Sequence, residues 1–150
     1  MAANIFNVRV YGILLNNQRQ VLVTDEIRYG YRITKFPGGG LHFGEGTVDC
    51  LKRECMEELG REVEVQEHFY TTDFFQPSAF NDQQQVISIY YFISMNDPGK
   101  LDVKQRAFDF TEEQEEAQIF RWVDLDALSP EDFTFPIEKK VAGLLGNKFK

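Results

Sequence analysis

The stretch FPGGGLHFGEGTVDCLKRECMEELGR, from Phe36 to Arg61, decides how this chain is read. Its second half, Thr47 to Leu59, has the pattern of a helix, with Thr47 as the expected N-cap and Gly60 where a left-handed residue would end it. With Glu54 at zero on a helical wheel of 100° per residue, Glu57 falls near about −60° and Glu58 near about +40°. Three carboxylates thus share one arc. Val48, Leu51, Cys55 and Leu59 gather between about 60° and 140°, an adjacent apolar stripe able to face a core. Arg53 lies one turn before Glu57, positioned to pair with it and hold it. Neighbouring like charges cost about 0.2–0.5 kcal/mol per pair on an exposed helix, and more where water is excluded. One arginine does not offset three acids; a hard cation does, and an all-oxygen donor set suits Mg²⁺ or Mn²⁺.

The first half of the stretch is the glycine run Gly38-Gly39-Gly40 after Pro37. Backbone without side chains lets carbonyls and amides come close to a metal or a diphosphate. Alone, such a run signals no more than a tight turn. Beside the acidic helix it becomes the second half of a site, with Gly38 and Gly40 as substrate-binding candidates.

Outward from this segment, Ile5 to Leu15 is rich in β-branched and apolar residues and is expected to be a strand, ended by the turn signal Asn16-Asn17. Gln20 to Thr24 looks like its return partner, and Arg32 to Phe36 like a short third strand. Two further strands are expected at Val63 to Phe75 and Val86 to Met95, then a turn at Asn96-Asp97-Pro98-Gly99. A strand at Gln118 to Val123 follows the acidic run Glu112 to Glu116. Pro136 opens a terminal helix whose Ile137, Val141, Leu144 and Leu145 fall at helical spacing. Strands on both sides of a central helix indicate a mixed α/β sandwich. No repeat or linker divides the chain, so residues 1–150 are expected to form one domain.

Composition narrows the function. The chain has 150 residues, 43% hydrophobic and 14% aromatic, which excludes a disordered or fibrous protein. Its net charge of −8 and lack of a basic stripe argue against gripping a nucleic-acid duplex. A small phosphorylated ligand remains compatible if a divalent cation mediates the contact. The start, Met1-Ala2-Ala3-Asn4-Ile5, lacks the features of a secretory signal, and no apolar run approaches the ~18 residues needed to span a membrane. A cytoplasmic protein with no membrane partner is expected. Five helical residues separate Cys50 from Cys55, a rise of ~7.5 Å, too far for a disulfide; partly buried free thiols are expected.

Gly39, Glu45, Arg53-Glu54, Glu57-Glu58 and Gly60, at these spacings, resemble the Nudix box, the signature of the Nudix hydrolases. Seven positions match, and a chance match at a given start is on the order of 10⁻⁸. Cys55 and Arg61 depart from the aliphatic residues usual there, but neither touches a carboxylate. The resemblance implies a Nudix-type α/β/α sandwich with a central mixed β-sheet. It also implies hydrolysis of a diphosphate linkage in a nucleoside diphosphate joined to another group. By resemblance, Glu54, Glu57 and Glu58, with a backbone carbonyl at Gly38 or Gly39, would hold Mg²⁺ (or Mn²⁺). Arg53 would orient a box glutamate, and Glu45 would support the loop and helix. The general base is a box glutamate or a later carboxylate. Glu116 is nominated from the acidic run, against the reading of that run as a solvated segment. His42, in the glycine loop, is either near the phosphates or a surface residue. Aromatics outside the box, Tyr29, Tyr31, Phe74, Phe75 and Phe80, either stack a nucleobase or finish a core; Phe75 is the substrate-binding candidate. The partner is a small nucleotide derivative, with a homodimer left open. Two alternatives stand beside hydrolysis: a nucleotide-sensing module, expected to lack box carboxylates, and an isoprenoid-diphosphate isomerase on the same fold, expected to depend on an active-site thiol.

Overall fold

The computed structural model describes residues 3–150. Met1 and Ala2, part of the start read against a secretory signal, lie outside the described residues. The elements are β1 (Ile5–Leu14), β2 (Gln20–Arg28), β3 (Tyr31–Lys35), β4 (Gly38–Gly40), α1 (Thr47–Leu59), β5 (Glu64–Thr71), β6 (Gln84–Ser94), β7 (Gln118–Asp124) and α2 (Pro136–Lys148). This is an α/β fold, and the chain forms two compact units. One comprises the chain up to Ile13 with Pro37–Asn96; the other comprises Leu14–Phe36 with Asp97–Lys150. Among the described residues, no helix is long and apolar enough to cross a membrane.

In the first unit the strand order is β4-β1-β6-β5. β4 runs antiparallel to β1, with Arg9 opposite Gly40, Val10 opposite Gly39 and Tyr11 opposite Gly38. β5 runs antiparallel to β6, with irregularities on either side of His68. β1 and β6 run the same way: Ile5 N–H donates to the Gln83 carbonyl at 3.0 Å near their starts, and Gly12 lies against Ile93 near their ends. The sheet is therefore mixed. Helix α1 lies against β4 and β5, burying Cys50, Leu51 and Cys55.

The glycine run, expected as a loop, is in part a strand. Gly38 has φ +143°, and a Cβ there would overlap the Val10 carbonyl oxygen and Tyr11. A side-chain-free strip thus closes one edge of the sheet. The helix starts where expected but is capped differently. Gly46, not Thr47, is the N-cap, because the Thr47 hydroxyl is engaged with the Tyr91 hydroxyl at 2.8 Å. Gly60 ends the helix in the left-handed region, φ 66°, as the sequence required. Val48 is exposed and Cys50 takes its place among the buried residues, since α1 packs tightly on glycine.

In the second unit the order is β3-β2-β7, both pairings antiparallel. The expected pairing of Gln20–Thr24 with the first strand does not form beyond a single bridge, Leu15 to Val21. Both edges of β1 are already taken by β4 and β6, so β2 finds its partners elsewhere. The turn itself is as expected: the Asn16 side-chain oxygen accepts from the Gln18 and Gln20 amides at 2.9 and 3.0 Å. β2 is buried on both faces from Val21 to Glu26. Pro136 occupies the first turn of α2, and Ile137, Val141 and Leu145 are buried along one face. Phe36 stacks on Phe133 with ring centroids 4.7 Å apart.

Candidate functional site

The site of the first unit is built where α1 meets β4. A Cβ added to Gly39 would come within 2.6 Å of the Glu54 carboxyl carbon and Oε2, so the carboxylate lies directly on the Gly39 backbone. Only glycine permits that approach. One residue earlier, Gly38 N–H donates to Glu58 Oε2 at 2.9 Å. The Cys50 thiol donates to the Gly40 carbonyl at 3.5 Å. The helix face that carries the acids is therefore pressed against the strip, with the Glu54 side chain 16% exposed and Glu57 58% exposed.

Arg53 organises these groups. Its Nε and Nη2 donate to Glu45 Oε2 and Oε1 at 3.0 and 2.7 Å, a two-pronged pair. Nη1 donates to Glu54 Oε1 at 3.0 Å and to Glu57 Oε2 at 3.2 Å. Nη2 also donates to the Gly40 carbonyl at 3.0 Å. Glu45 in turn accepts from the His42 amide at 2.8 Å, closing the loop onto the helix. The Arg53 hydrogen bonds, with the His42 amide, hold the Glu45 carboxyl down at about 2. The same bond to Glu45 pushes the Arg53 guanidinium further above its ordinary value. The sequence paired Arg53 with Glu57; the structure makes Glu45 its two-pronged partner, eight residues away and outside any helical neighbour rule.

The donor chemistry suits a hard divalent cation: carboxylates on one helix arc and the backbone of Gly39 packed directly beneath Glu54. The side chains are nonetheless engaged elsewhere. Glu54 and Glu57 lean on Arg53 and Glu58 on the Gly38 amide. Among the described residues, no three His, Cys, Asp or Glu side chains converge as a metal-holding group. Gly38, Gly39, Gly40, Glu45, Arg53, Glu54, Glu57 and Glu58 are all brought together, with Glu57 bonded to Arg53 and Glu58 to the Gly38 amide.

The remaining candidates fall differently. Phe75 is exposed, in the irregular segment after β5, as are Phe74 and Phe80. The strand expected to reach Phe75 stops at Thr71, where the Tyr70 hydroxyl donates to Asp73 at 2.5 Å. Glu116 belongs to the second unit, is 75% exposed, and pairs with Arg28 at 3.5 Å. The acidic run is not simply solvated. Glu115 accepts from the Tyr29 and Gly30 amides at 2.7 and 3.0 Å, and Glu113 pairs with Arg32. It clamps the β2–β3 turn, a role that sequence spacing did not reveal. Both cysteines are buried and free. Burial, with the Glu45 charge, pushes the Cys50 thiol up to about 12; burial, with the Glu58 charge, does the same for Cys55.

The family model of the NUDIX domain matches residues 6–143, and the chain belongs to the Nudix hydrolase family. The matched residues run through both compact units. Nudix hydrolases generally use divalent metal ions and act on small nucleotide derivatives. Over 55 residues the chain is 44% identical to the RNA pyrophosphohydrolase of Acinetobacter baylyi, a match covering 37% of this chain and 32% of that protein. The MutT protein of Methanosarcina mazei Go1 superposes with a TM-score of 0.69 at 17% identity, covering 100% of this chain and 99% of that one. A MutT from work on Aliivibrio salmonicida and Vibrio cholerae gives 0.62 at 23% identity, covering 96% and 99%. At these identities the two structures speak for the fold.

Proposed function

We propose that this protein hydrolyses a diphosphate linkage in a nucleoside diphosphate derivative with the help of Mg²⁺ or Mn²⁺, and that residues 1–150 act as one catalytic domain. The observation that carries this is the Arg53 hub: one guanidinium bonded to Glu45, Glu54, Glu57 and the Gly40 carbonyl. It fixes an excess of carboxylates against side-chain-free backbone. Glu54, Glu57, Glu58 and the Gly39 carbonyl would hold the ion, which supplies charge neutralisation of the diphosphate and an activated water. Arg53 sets the positions of Glu54 and Glu57, and Glu45 fixes Arg53. The amides of Gly38 and Gly40 offer close approach to phosphate oxygens, and exposed Phe75 offers a face for a base. Glu116 is the proposed proton acceptor for the attacking water, at its carboxylate oxygen.

The alternatives fare worse. A sensing module needs no intact box, yet all three helix carboxylates are present and held in place. The isomerase reading needs a reactive thiol, and both cysteines are buried with their thiols pushed up to about 12, conditions under which a thiolate does not form.

The test is a panel of nucleoside triphosphates, ADP-ribose, dinucleoside polyphosphates, nucleotide sugars and an RNA with a terminal pyrophosphate, each with Mg²⁺ or Mn²⁺. Turnover of at least one member is expected, and turnover of none overturns the hydrolase reading. Glu57→Gln and Glu58→Gln are expected to abolish the activity found; Glu116→Gln is expected to lower kcat, and unchanged kcat removes it from the mechanism.

A further inference from the structure

At the two ends of the β1–β4 pairing, Leu41 N–H donates to the Val8 carbonyl at 2.9 Å and Gly12 N–H donates to the Pro37 carbonyl at 2.8 Å. Paired residues alternate along an antiparallel strand with residues whose backbone groups point away. The Gly40 carbonyl therefore points off the outer edge of β4, the last strand on that side. A carbonyl placed there needs a donor from outside the sheet. Helix α1 supplies two. Cys50 and Arg53 are three residues apart, on one side of the helix. The Cys50 thiol donates to the Gly40 carbonyl at 3.5 Å, and Arg53 Nη2 donates to it at 3.0 Å. Cys50 Sγ in turn accepts from Arg53 Nη2 at 3.7 Å. Thiol, carbonyl and guanidinium close a triangle. Cys50 is fully buried, so its weak S–H donor meets the carbonyl without competing water.

The guanidinium works in two directions. Nη2 takes Glu45 and the Gly40 carbonyl, and Nη1 takes Glu54 and Glu57. The group is planar and rigid, so whatever fixes Nη2 also fixes Nη1. Cys55 is buried on the same helix but lies about 140° around the axis from Cys50, on the apolar stripe and away from this triangle. We propose that Cys50 is a positioning residue for the hydrolase reaction: its thiol locks the Gly40 carbonyl against Arg53, and through the guanidinium sets where Glu54 and Glu57 present their oxygens. This rests on the hydrolase reading above.

Three substitutions separate the hydrogen bond from the volume. Cys50→Val fills the site without a donor, Cys50→Ser keeps a donor, and Cys50→Ala removes both. Nitrogen-15 NMR of the arginine side chains reads the effect without turnover, with the Arg53 signals assigned by their loss in Arg53→Lys. Exchange between Nη1 and Nη2 is expected to be about fivefold faster in Cys50→Val and Cys50→Ala than in wild type, and close to wild type in Cys50→Ser. On whichever member of the panel above is turned over, with saturating Mg²⁺, Cys50→Val and Cys50→Ala should lower kcat about fivefold with KM within about twofold, and Cys50→Ser should recover kcat to within about twofold. Cys55→Ala is expected to lower stability while both readouts stay at wild type. Wild-type exchange and kcat in Cys50→Val overturn the proposal, as does an equal loss of kcat in Cys55→Ala and Cys50→Ala. If Cys50→Ala fails to fold, equal values in Cys50→Val and Cys50→Ser overturn it. Failure of the hydrolase reading shows differently: no panel member is turned over, while the Arg53 exchange still separates Cys50→Val from Cys50→Ser.

Discussion

Among the described residues, a cluster of sequestered charge around Arg53 in one unit and another on β2 in the other are balanced differently. Around Arg53 a single base faces three acids, Glu45, Glu54 and Glu57, with Glu58 close by on a backbone amide. On β2 two acids face three bases: Asp25 pairs with Arg121 at 2.7 Å, and Glu26 pairs with Lys35 at 2.9 Å and Arg28 at 3.0 Å. Asp25 and Glu26 are fully buried, and neutral donors complete their shells. Thr34 and the Phe108 amide bond to Asp25; Thr24 and Gln118 bond to Glu26. A charge buried with all its partners is a finished structural element. Under the proposed function, the cluster around Arg53, where carboxylates outnumber the guanidinium, is the one a cation would complete. Burial of an arginine–glutamate network thus says little by itself; its charge balance separates scaffold from site.

Metal rescue separates the two most sharply. Arg53→Met and Arg121→Met each strand partly buried acids, and each is expected to cost about 3 kcal/mol in urea unfolding. Arg53→Met should also lower turnover by about 10–100-fold. Saturating Mg²⁺ should raise the Tm of Arg53→Met by more than that of wild type, and leave Arg121→Met where it was. Equal rescue of both, or of neither, breaks the comparison.

Acid should act next. Burial by itself would raise the Glu26 carboxyl, but the Lys35 charge and the Thr24 and Lys35 hydrogen bonds outweigh it and hold it at about 2, below the ordinary 4.5. A depressed carboxylate stabilises the fold above its unfolded value, and that stabilisation is lost as pH falls from 4.5 towards 2. The shift is worth about 3 kcal/mol. Urea unfolding at pH 7, 4.5 and 2.5 should show the loss, and Glu26→Gln should flatten its share of it while lowering stability at pH 7. A wild-type slope in Glu26→Gln would place the titration elsewhere, with Glu45 the next group in the same window.

Gly39→Ala should separate function from stability within the site. Its Cβ meets only the movable end of Glu54, so unfolding free energy should change by no more than about 1 kcal/mol, while displacement of that carboxylate lowers turnover about tenfold. Gly38→Ala, whose Cβ would strike the backbone at Val10 and Tyr11, should instead cost stability. The smallest effect is expected from Glu115→Gln: about 1 kcal/mol or less, seen as faster hydrogen exchange at the Tyr29 and Gly30 amides with turnover unchanged.

Local signals made much of this legible. Pro136, Gly60 and the Asn16 turn act through the backbone of their immediate neighbours, and each stands where the sequence placed it. The limits of α1 were legible for the same reason. Pairings between distant segments were not. Nothing in Gln20–Thr24 says that β1 will have both edges occupied, or that Glu113 and Glu115 will reach the β2–β3 turn. The one misplaced helix signal, Thr47 as a cap, failed because Tyr91 on β6 takes its hydroxyl, a contact between residues 44 positions apart.

By itself, the sequence determined that three glutamates share a helix arc beside a glycine run, because helical pitch and the absence of side chains are properties of the local chain. That was enough for the class of chemistry. Only the tertiary structure decided which acid Arg53 grips with two prongs, and that Glu54 lies on the Gly39 backbone. Those depend on strand register and close packing, which bring together side chains that no spacing rule relates.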